Sequence, residues 1–342
     1  MNATRRKFIK QSAMAGAALG LYSVPGSLYE KATEDVIRIG IIGLDTSHAP
    51  AFAEVFNSEN PEPGLSGFRV VAAYPYGSKT IKSSFETIPE YTKKIEEMGI
   101  EVVDSIKALL KKVDAVLLVT NDGQVHPEQA REVIKAGKRI YIDKPVTASM
   151  SDAVKIYIEA KERNVGVFSA SSLRYLKNAQ AVRNENKIGM VLGADTFSPA
   201  ALEPSHPDLF WYGIHGVEIL YTVMGTGCDT VTRFHTDDTD FVVGRWKDGR
   251  LGTFRGTRTG THDYGGTAFG SEGNITLGPF EGYQALLVKV GEFFRTGIPP
   301  VDPKETLEIY GFMEAADESR RNGGIPVSVD EILKKAGYDK LM

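Results

Sequence analysis

A run of β-branched residues that ends at a glycine constrains the fold of this chain more than any other stretch. Residues 36–42 read Val-Ile-Arg-Ile-Gly-Ile-Ile, and Gly43 follows them. Such a run suits a strand that is buried on both faces, and Gly43 breaks it where a tight turn should fall. Residues 49–57 are predicted to form a helix. The order of strand, glycine turn and helix indicates the first unit of a dinucleotide-binding domain.

The loop after this strand departs from the G-x-G-x-x-G fingerprint at two positions. Gly43 can serve as the first glycine, but Asp45 and His48 stand at the second and third positions. The second glycine normally lets the backbone approach a pyrophosphate, and the third lets the helix pack on the strand. A carboxylate at the second position would repel a pyrophosphate, so a ligand sits differently or the loop holds none. Thr46 and Ser47 still offer hydroxyl and backbone N–H groups to a phosphate.

Length and charge narrow the class of protein. The chain has 342 residues and a formal net charge of −4. This length suits two domains of ordinary size, and the charge gives no reason to expect nucleic acid as a partner. No run of about 18 apolar residues predicts a membrane span. Cys228 is the one cysteine, which excludes a disulfide framework and a thiolate metal cluster.

Residues 1–32 are predicted to be an export signal and linker. The pair Arg5-Arg6 precedes Phe8-Ile9-Lys10, and residues 12–24 are mildly apolar. This layout resembles a twin-arginine (Tat) signal and predicts a periplasmic or otherwise exported protein, with an undetermined cleavage site. The alternative is a basic disordered tail. Because this route carries folded proteins, often with a cofactor inserted, it favours a tightly held cofactor.

Strands and helices alternate through the region that follows. Strands are predicted at residues 68–73, 100–103, 113–120, 139–142 and 166–169, with helices between them. This alternation predicts a parallel, right-handed, doubly wound sheet of the Rossmann type, with a domain over residues 33–148. Ligands of such sheets bind beyond the carboxyl ends of the strands. Those ends are residues 44–48, 74–79, 120–126 and 143–147.

The second half of the chain has a different character. Short β segments are predicted at residues 191–200, 230–236, 240–247, 250–259 and 268–277. Asp248-Gly249 is a strong two-residue hairpin signal. The fold class is therefore α/β, a Rossmann domain followed by a C-terminal α+β domain, residues 149–342, with a mainly antiparallel open sheet. The last helices are candidates to pack back on the Rossmann domain.

The second strand also departs from the dinucleotide pattern. It should end in an acid that binds the adenosine ribose, but it ends at Tyr74, with Ser78 and Lys79 beyond. Ser78 and Lys79 suit a ribose 2′-phosphate, although a solvated loop lysine is the simpler explanation. The choice between NAD and NADP therefore stays open.

Several short motifs occur in an order that resembles the Gfo/Idh/MocA family of two-domain oxidoreductases. The most specific is Asp143-Lys-Pro, since members carry a Glu-Lys-Pro or Asp-Lys-Pro element after the fifth Rossmann strand. The other matching pieces are Gly40 to Gly43, Thr120-Asn121 with His126, Gly137-Lys138, Gly213-x-His215, Pro300 to Pro303, Ala315-Ala316 and Glu318-Ser319. The resemblance spans nearly the whole chain beyond the signal and implies NAD or NADP as cofactor.

The resemblance assigns the catalytic work to Lys144 and His215. The family lysine sits beside the nicotinamide and the reacting hydroxyl, where a cation stabilises a developing alkoxide. His215 matches the family acid/base, and imidazole titrates near neutral pH. Trp211 replaces an expected aspartate, and Glu218 is a candidate to orient His215. The alternatives are a lysine that caps a strand end and a histidine packed in the core.

The resemblance also implies binding residues. Cofactor contacts are expected from Gly43, Asp45, Thr46, Ser47, His48, Tyr74, Thr120, Asn121, His126, Lys144 and Pro145. Substrate contacts are expected from Arg174, Tyr175, Trp211, Tyr212 and His215. His126 lines the nicotinamide side or caps the following helix. His206, His235 and His262 have no spacing to acids or cysteine that indicates a metal site, so no metal is predicted.

Three functions remain open on the sequence. The leading prediction is an NAD(P)-dependent oxidoreductase that moves hydride between nicotinamide and a sugar or polyol carbon. A second enzyme function would use the cofactor transiently, cleaving a glycoside through a keto-sugar. The third is a non-redox carbohydrate-binding protein that has lost the cofactor. The partner is a small molecule in each case, and the resemblance implies a homo-oligomer formed through the C-terminal sheet.

Overall fold

The computed structural model describes residues 36–261 and 263–341. The predicted twin-arginine signal and His262 lie outside these residues. Among the helices that the structure does describe, none is long and apolar enough to cross a membrane.

The first sheet has six parallel strands in the order β3-β2-β1-β4-β5-β6. The strands are β1 Ile37–Ile42, β2 Phe68–Tyr74, β3 Glu101–Val102, β4 Ala115–Leu118, β5 Arg139–Ile142 and β6 Val167–Phe168. The strand order reverses between β1 and β4, which places the ligand crevice at their carboxyl ends. The predicted Rossmann sheet is confirmed.

Helices connect these strands. They are α1 His48–Phe56, α2 Lys82–Phe85, α3 Ile88–Glu97, α4 Ile106–Leu110, α5 His126–Lys135 and α6 Met150–Glu162. Two of them begin at serine caps, since the hydroxyl of Ser105 accepts from the Ala108 N–H and that of Ser149 from the Asp152 N–H.

Gly43 is required at the turn between β1 and α1. Its φ is +99°, and a Cβ there would lie 2.4 Å from the backbone nitrogen of Thr120. A side chain would meet both a strained backbone and a steric clash. The first glycine of the fingerprint is thus kept because the ends of β1 and β4 approach closely.

The second sheet has seven strands in the order β12-β11-β7-β10-β9-β8-β13. They are β7 Val191–Pro199, β8 Cys228–His235, β9 Thr239–Trp246, β10 Leu251–Thr257, β11 Gly265–Gly270, β12 Gly273–Leu277 and β13 Val327–Ser328. β7 and β10 pair in parallel and the other neighbours are antiparallel. The predicted mainly antiparallel sheet is confirmed, with β9 and β10 joined at Asp248-Gly249. The sequence carries a weaker hairpin signal at Glu272-Gly273-Asn274, and the β segment predicted at residues 268–277 does turn there, between β11 and β12.

The remaining helices pack on and around this sheet. They are α7 Lys177–Glu185, α8 Asp208–Trp211, α9 Ile214–Met224, α10 Gln284–Thr296, α11 Pro303–Arg321 and α12 Val329–Lys335. The sequence predicts one helix over residues 173–184, but a 3₁₀ turn at Ser172–Tyr175 precedes α7. Leu176 interrupts the helix because its backbone is extended, with φ −56° and ψ 130°.

Helix α10 covers one face of the Rossmann sheet. Leu287, Val290 and Phe293 join the same buried apolar cluster as Phe52 and Tyr141. The core of the N-terminal sheet is therefore completed by a helix from the C-terminal half of the chain.

Candidate active site

A cavity of about 340 Å³ opens at the carboxyl ends of β1, β4 and β5. Its volume lies in the usual range for a small-molecule site. The Rossmann side is lined by Asp45, Thr46, Ser47, His48, Ser83, Thr87, Tyr91, Asn121 and Lys144. The opposite side is lined by Ser172, Leu173, Trp211, Tyr212, His215, Tyr264, Phe280 and Tyr283. Residues from both halves of the chain therefore share one cavity.

Lys144 lies in this cavity, directly after β5. Its Nζ is 5.6 Å from the centre of the Tyr212 ring, a cation–π distance. The chain that follows is fixed, since the Val146 N–H donates to the Tyr310 hydroxyl and the Pro145 carbonyl lies 2.9 Å from His126 Nδ1. Pro145 itself is outside the lining. Lys144 is thus presented to the cavity from a rigid support.

His126 has a structural place rather than a cofactor contact. It is fully buried, with Nε2 2.6 Å from the Thr120 carbonyl and Nδ1 2.9 Å from the Pro145 carbonyl. Burial lowers the pKa of His126. Its ring ties the end of β4 to the Lys-Pro segment, behind the cavity. Thr120 is likewise buried, against Gly43. Thr120, His126 and Pro145 therefore do not line the cavity.

His215 lines the cavity that also holds Lys144. Its Nδ1 lies 2.7 Å from Ser171 Oγ, which also accepts the Leu173 N–H. The Ser171 hydroxyl can donate to Nδ1 or accept from it, so this contact holds the ring in place with either tautomer. Burial lowers the pKa of His215 well below its usual value, and Lys144 adds to this effect. The imidazole of His215 is therefore neutral.

Arg174 and Tyr175 do not reach the cavity, contrary to the prediction of substrate contacts. Arg174 is 2% exposed. Its guanidinium binds Glu218 of α9 and Glu305 of α11, the latter at 2.7 Å. Glu218, which was predicted to orient His215, binds Arg174 instead. The two carboxylates neutralise a buried cation and join the turn before α7 to two helices.

Aromatic side chains form the wall opposite the Rossmann loops. Trp211 and Tyr212 were predicted there, and Trp211 packs against His206 with tilted rings whose centres lie 4.9 Å apart. Tyr264, Phe280 and Tyr283 were missed because no spacing marks them. Burial raises the pKa of Tyr283 to about 12, so its hydroxyl stays protonated at neutral pH.

Asp45, at the second fingerprint position, binds two neighbouring loops. Its carboxylate accepts the backbone N–H of Ser78 at 2.9 Å and that of Asn121 at 3.0 Å. The Leu44 N–H donates to the Tyr76 carbonyl at 2.9 Å. This bond also joins the loop after β1 to the loop after β2. Burial raises the pKa of Asp45 to about 6. The carboxylate thus uses backbone donors at the ends of β2 and β4.

Asn121 and Tyr74 were also predicted to contact the cofactor, but their side chains are held elsewhere. The Asn121 side chain donates to Ser84 Oγ at 2.8 Å, although Asn121 still lines the cavity. Tyr74 lies outside it, in a separate open groove with Tyr76, Lys79 and Phe85. The residues expected around the adenosine ribose therefore do not converge on the cavity.

His48, at the third fingerprint position, pairs with Asp143. Nδ1 lies 2.6 Å from Asp143 Oδ2, and the ring stacks on Phe52 with centres 5.1 Å apart. Burial alone would raise the pKa of Asp143, but His48 and Lys144 outweigh it and hold that pKa well below its usual value. Tyr141 donates to the other Asp143 oxygen at 3.2 Å. The sequence motif did not reveal this pair.

The start of α1 fits one phosphate group. Thr46 and Ser47 line the cavity there, and their backbone N–H groups donate to no acceptor within the described residues. Free N–H groups at a helix start favour an anion. Together with Lys144 and Asn121, these residues fit the nicotinamide half of a dinucleotide, while the Asp45 charge opposes the phosphates.

A six-stranded Rossmann sheet joined to an open, mainly antiparallel sheet, with a shared cavity, defines a two-domain α/β fold of the Rossmann type. Residues 37–171 match the model of the GFO_IDH_MocA family, described as an oxidoreductase family with an NAD-binding Rossmann fold. The predicted resemblance to the Gfo/Idh/MocA family is therefore confirmed over this region.

Two curated relatives that match part of this chain are named as enzymes of sugars or polyols. A myo-inositol 2-dehydrogenase of Thermotoga maritima is 24% identical over 187 residues, 48% of this chain and 56% of that protein. A 1,5-anhydro-D-fructose reductase of Ensifer adhaerens is 32% identical over 95 residues, 27% of this chain and 28% of that protein. These matches span between about a quarter and just over half of the relatives' lengths.

Solved structures share the fold over most of the chain. A probable dehydrogenase from Thermotoga maritima has a TM-score of 0.70 at 19% identity, covering 86% of this chain and 100% of that one. A scyllo-inositol dehydrogenase from Lactobacillus casei with bound NAD(H) and scyllo-inositol has a TM-score of 0.67 at 16% identity, covering 86% and 99%. At these identities the likeness establishes the fold.

Proposed function

We propose that the chain is an NAD(H)-dependent oxidoreductase that acts on a hydroxyl-bearing carbon of a sugar or polyol. One observation carries the proposal: a single cavity joins the free N–H groups of Thr46 and Ser47 to Lys144 and His215. A phosphate site and a polar reaction site are then within one ligand's reach. The relatives named as inositol dehydrogenases support the substrate class.

The cavity walls suit a ring with many hydroxyl groups. Trp211, Tyr212 and Tyr264 offer aromatic faces and edges to its C–H surface, and the protonated Tyr283 hydroxyl can donate to its oxygen atoms. Lys144 stabilises negative charge on the reacting oxygen, and the neutral imidazole of His215 donates a hydrogen bond to it. A bound nicotinamide supplies the hydride acceptor or donor for the adjacent carbon.

NAD is favoured over NADP. The Lactobacillus casei relative was solved with NAD(H), which supports this choice. Titration of each cofactor by calorimetry tests it, and tighter binding of NADP(H) would reverse it.

The first experiment is native mass spectrometry of protein purified from an exporting host. Dinucleotide bound in stoichiometric amount, with reduced nicotinamide formed on addition of an inositol or sugar, supports the proposal. Released aglycone without accumulated NADH would instead identify glycoside cleavage through a transient keto-sugar. Absence of dinucleotide, together with no binding of added NAD(H) or NADP(H), would leave the non-redox binding function.

The remaining proposals concern location and assembly. The Arg5-Arg6 pattern supports export by the twin-arginine route.

A row of side chains across the second sheet supports a homo-oligomer: Phe197 pairs in register with Arg255, and Arg255 with Phe241. Phe234 extends the row and is 60% exposed. The chain is also proposed to divide into a Rossmann domain, residues 33–148, and a C-terminal domain, residues 149–342. The cleavage site of the export signal stays undetermined.

A further inference from the structure

We propose that His48, oriented by Asp143, is the general base of the cavity and accepts the proton of the substrate hydroxyl. The proposal rests on the proposed function for its substrate, but its geometry stands by itself. His48 occupies a position where the fingerprint requires glycine, and its ring lines the cavity that Lys144 and His215 share.

The hydrogen bond to Asp143 determines which nitrogen is basic. A carboxylate only accepts, so the 2.6 Å contact places the proton of the neutral His48 ring on Nδ1. Nε2 then carries the lone pair, and no group of the described residues binds it. His215 lacks such a carboxylate, because its Nδ1 partner Ser171 is a hydroxyl that can donate or accept. In the proposal His48 accepts the proton and the neutral His215 donates a hydrogen bond to the same oxygen.

The ring of His48 is held before any substrate arrives. Phe52 stacks on one side, and Tyr283 meets it edge-on with ring centres 4.8 Å apart. Tyr141 fixes the second oxygen of Asp143 and is itself bound to the Ala170 carbonyl at 2.9 Å. Asp143 is therefore a positioning residue. An imidazole fixed in one tautomer by a carboxylate is the arrangement used for proton transfer.

Other described histidines lack this combination. His126 has carbonyl oxygens at both nitrogens. His206 is bound by the Gly123 N–H at 3.0 Å and by Ser205 Oγ at 2.9 Å. His235 also pairs with a carboxylate, Asp240, at 2.7 Å, but it lies on β8 and does not line the cavity. His235 therefore provides a matched control.

The proton balance is simple. A bound NAD⁺ would accept the hydride, which carries both electrons of the broken C–H bond, from the carbinol carbon, and Nε2 of His48 accepts the O–H proton. The O–H bond breaks, an N–H bond forms, and the carbonyl leaves as product. Lys144 lowers the cost of the alkoxide-like oxygen during this transfer.

The pH dependence follows from the groups around His48. Protonated His48 cannot accept a second proton, so kcat/KM should fall at acid pH. The titratable groups around it are Asp45, Tyr141, Asp143, Lys144, His215 and Tyr283.

The test compares His48→Asn with His235→Asn in the full-length protein. Asparagine can still donate to Asp143 but has no basic nitrogen. We expect His48→Asn to lower kcat/KM for a polyol by about 10²- to 10⁴-fold and to abolish the loss of activity at acid pH. His235→Asn should retain the wild-type rate and pH profile. Thermal unfolding and near-ultraviolet circular dichroism check that both variants fold.

A second measurement does not need activity. In ¹⁵N-histidine NMR of wild-type protein without cofactor, the signal that is lost in His48→Asn should show the Nδ1–H tautomer. An Nε2–H tautomer overturns the proposal. So does turnover by His48→Asn with unchanged rate and pH profile. Wild-type protein that binds no dinucleotide overturns the proposed function, and the NMR result alone then decides the role of the pair.

Discussion

Asp45 holds together three loops that meet at the cavity. Its carboxylate bonds to the backbones of Ser78 and Asn121 from the loop after β1. Burial raises its pKa from 3.8 to about 6. Because the raised pKa disfavours the charged form in the folded state, Asp45 lowers stability as the pH rises from about 4 through 6 and costs most above pH 6.

The same titration should control cofactor affinity. At pH 5.5 most Asp45 side chains are neutral and no longer repel the phosphates, whereas at pH 7.5 they are charged. We expect NAD⁺ to bind roughly severalfold more tightly at pH 5.5, measured by calorimetry. Asp45→Asn should lose this dependence, and Asp104→Asn, an exposed change outside the cavity, should retain it. Equal pH dependence in all three proteins would contradict the argument.

Lys144 is the residue for which the largest loss of activity is expected without loss of structure. Lys144→Ala should reduce turnover by about two orders of magnitude or more, since a positioned charge at a developing oxyanion typically contributes that much. Its melting temperature should stay near that of wild type. Lys289→Ala, which removes a surface lysine paired with Glu292, is the control. Unchanged turnover would remove Lys144 from the mechanism.

At the scale of elements, the ion pairs of Arg174 connect the turn before α7 to α9 and α11. Arg174→Met would leave Glu218 and Glu305 buried, although Arg183 still binds Glu305 at 2.7 Å. Breaking a buried pair in this way costs about 3–5 kcal/mol. Urea denaturation should report a loss of this size.

The comparison for this prediction is an exposed pair. Arg245 binds Asp229 at 2.9 Å with 61% of its side chain exposed, so Arg245→Met should cost no more than about 1 kcal/mol. If the two variants lose the same stability, the Arg174 network does not join these elements in the way described.

The elements of the Rossmann sheet could be predicted because their signals are local. The β-branched run before Gly43 and the Lys144-Pro145 segment after β5 both fall where a strand must end, and parallel topology brings those ends together. Lys144 and His215 therefore meet in one cavity as predicted. The sequence also indicated the hairpin at Asp248-Gly249, whose turn requires a positive φ, +91° at Gly249.

Contacts between distant elements could not be predicted in the same way. Arg174 was expected at the substrate because the family resemblance implies a substrate contact there, but its partners Glu218 and Glu305 come from helices far along the chain. His48 was read as a defect in a glycine motif, since nothing local shows that Asp143 lies 2.6 Å away. In both cases the partner, not the residue type, determines the role.

At the scale of the whole molecule, the exposed row on the second sheet should form an interface. The Arg255 guanidinium lies 4.9 Å from the centre of the Phe241 ring, and Phe197 beside it is 40% exposed. Phe197→Asp would place a charge in an apolar contact. We expect light scattering to show a shift toward monomer, by about tenfold or more in the dissociation constant.

Phe85 provides the control for this change. It is 41% exposed but lies on α2, away from the second sheet, so Phe85→Asp should leave the assembly unchanged. A wild-type protein that is monomeric at all concentrations, or an equal effect of both variants, would argue against the sheet as the interface.

Helix α10 places a limit on when this protein can finish folding. Phe293 packs on Phe168 with ring centres 5.8 Å apart, yet it is synthesised only after β7 to β12. Until then the apolar face formed by Phe52, Tyr141 and Phe168 has no cover. The N-terminal sheet is made first but completed late, so a growing chain must shield this face while residues 169–293 are synthesised.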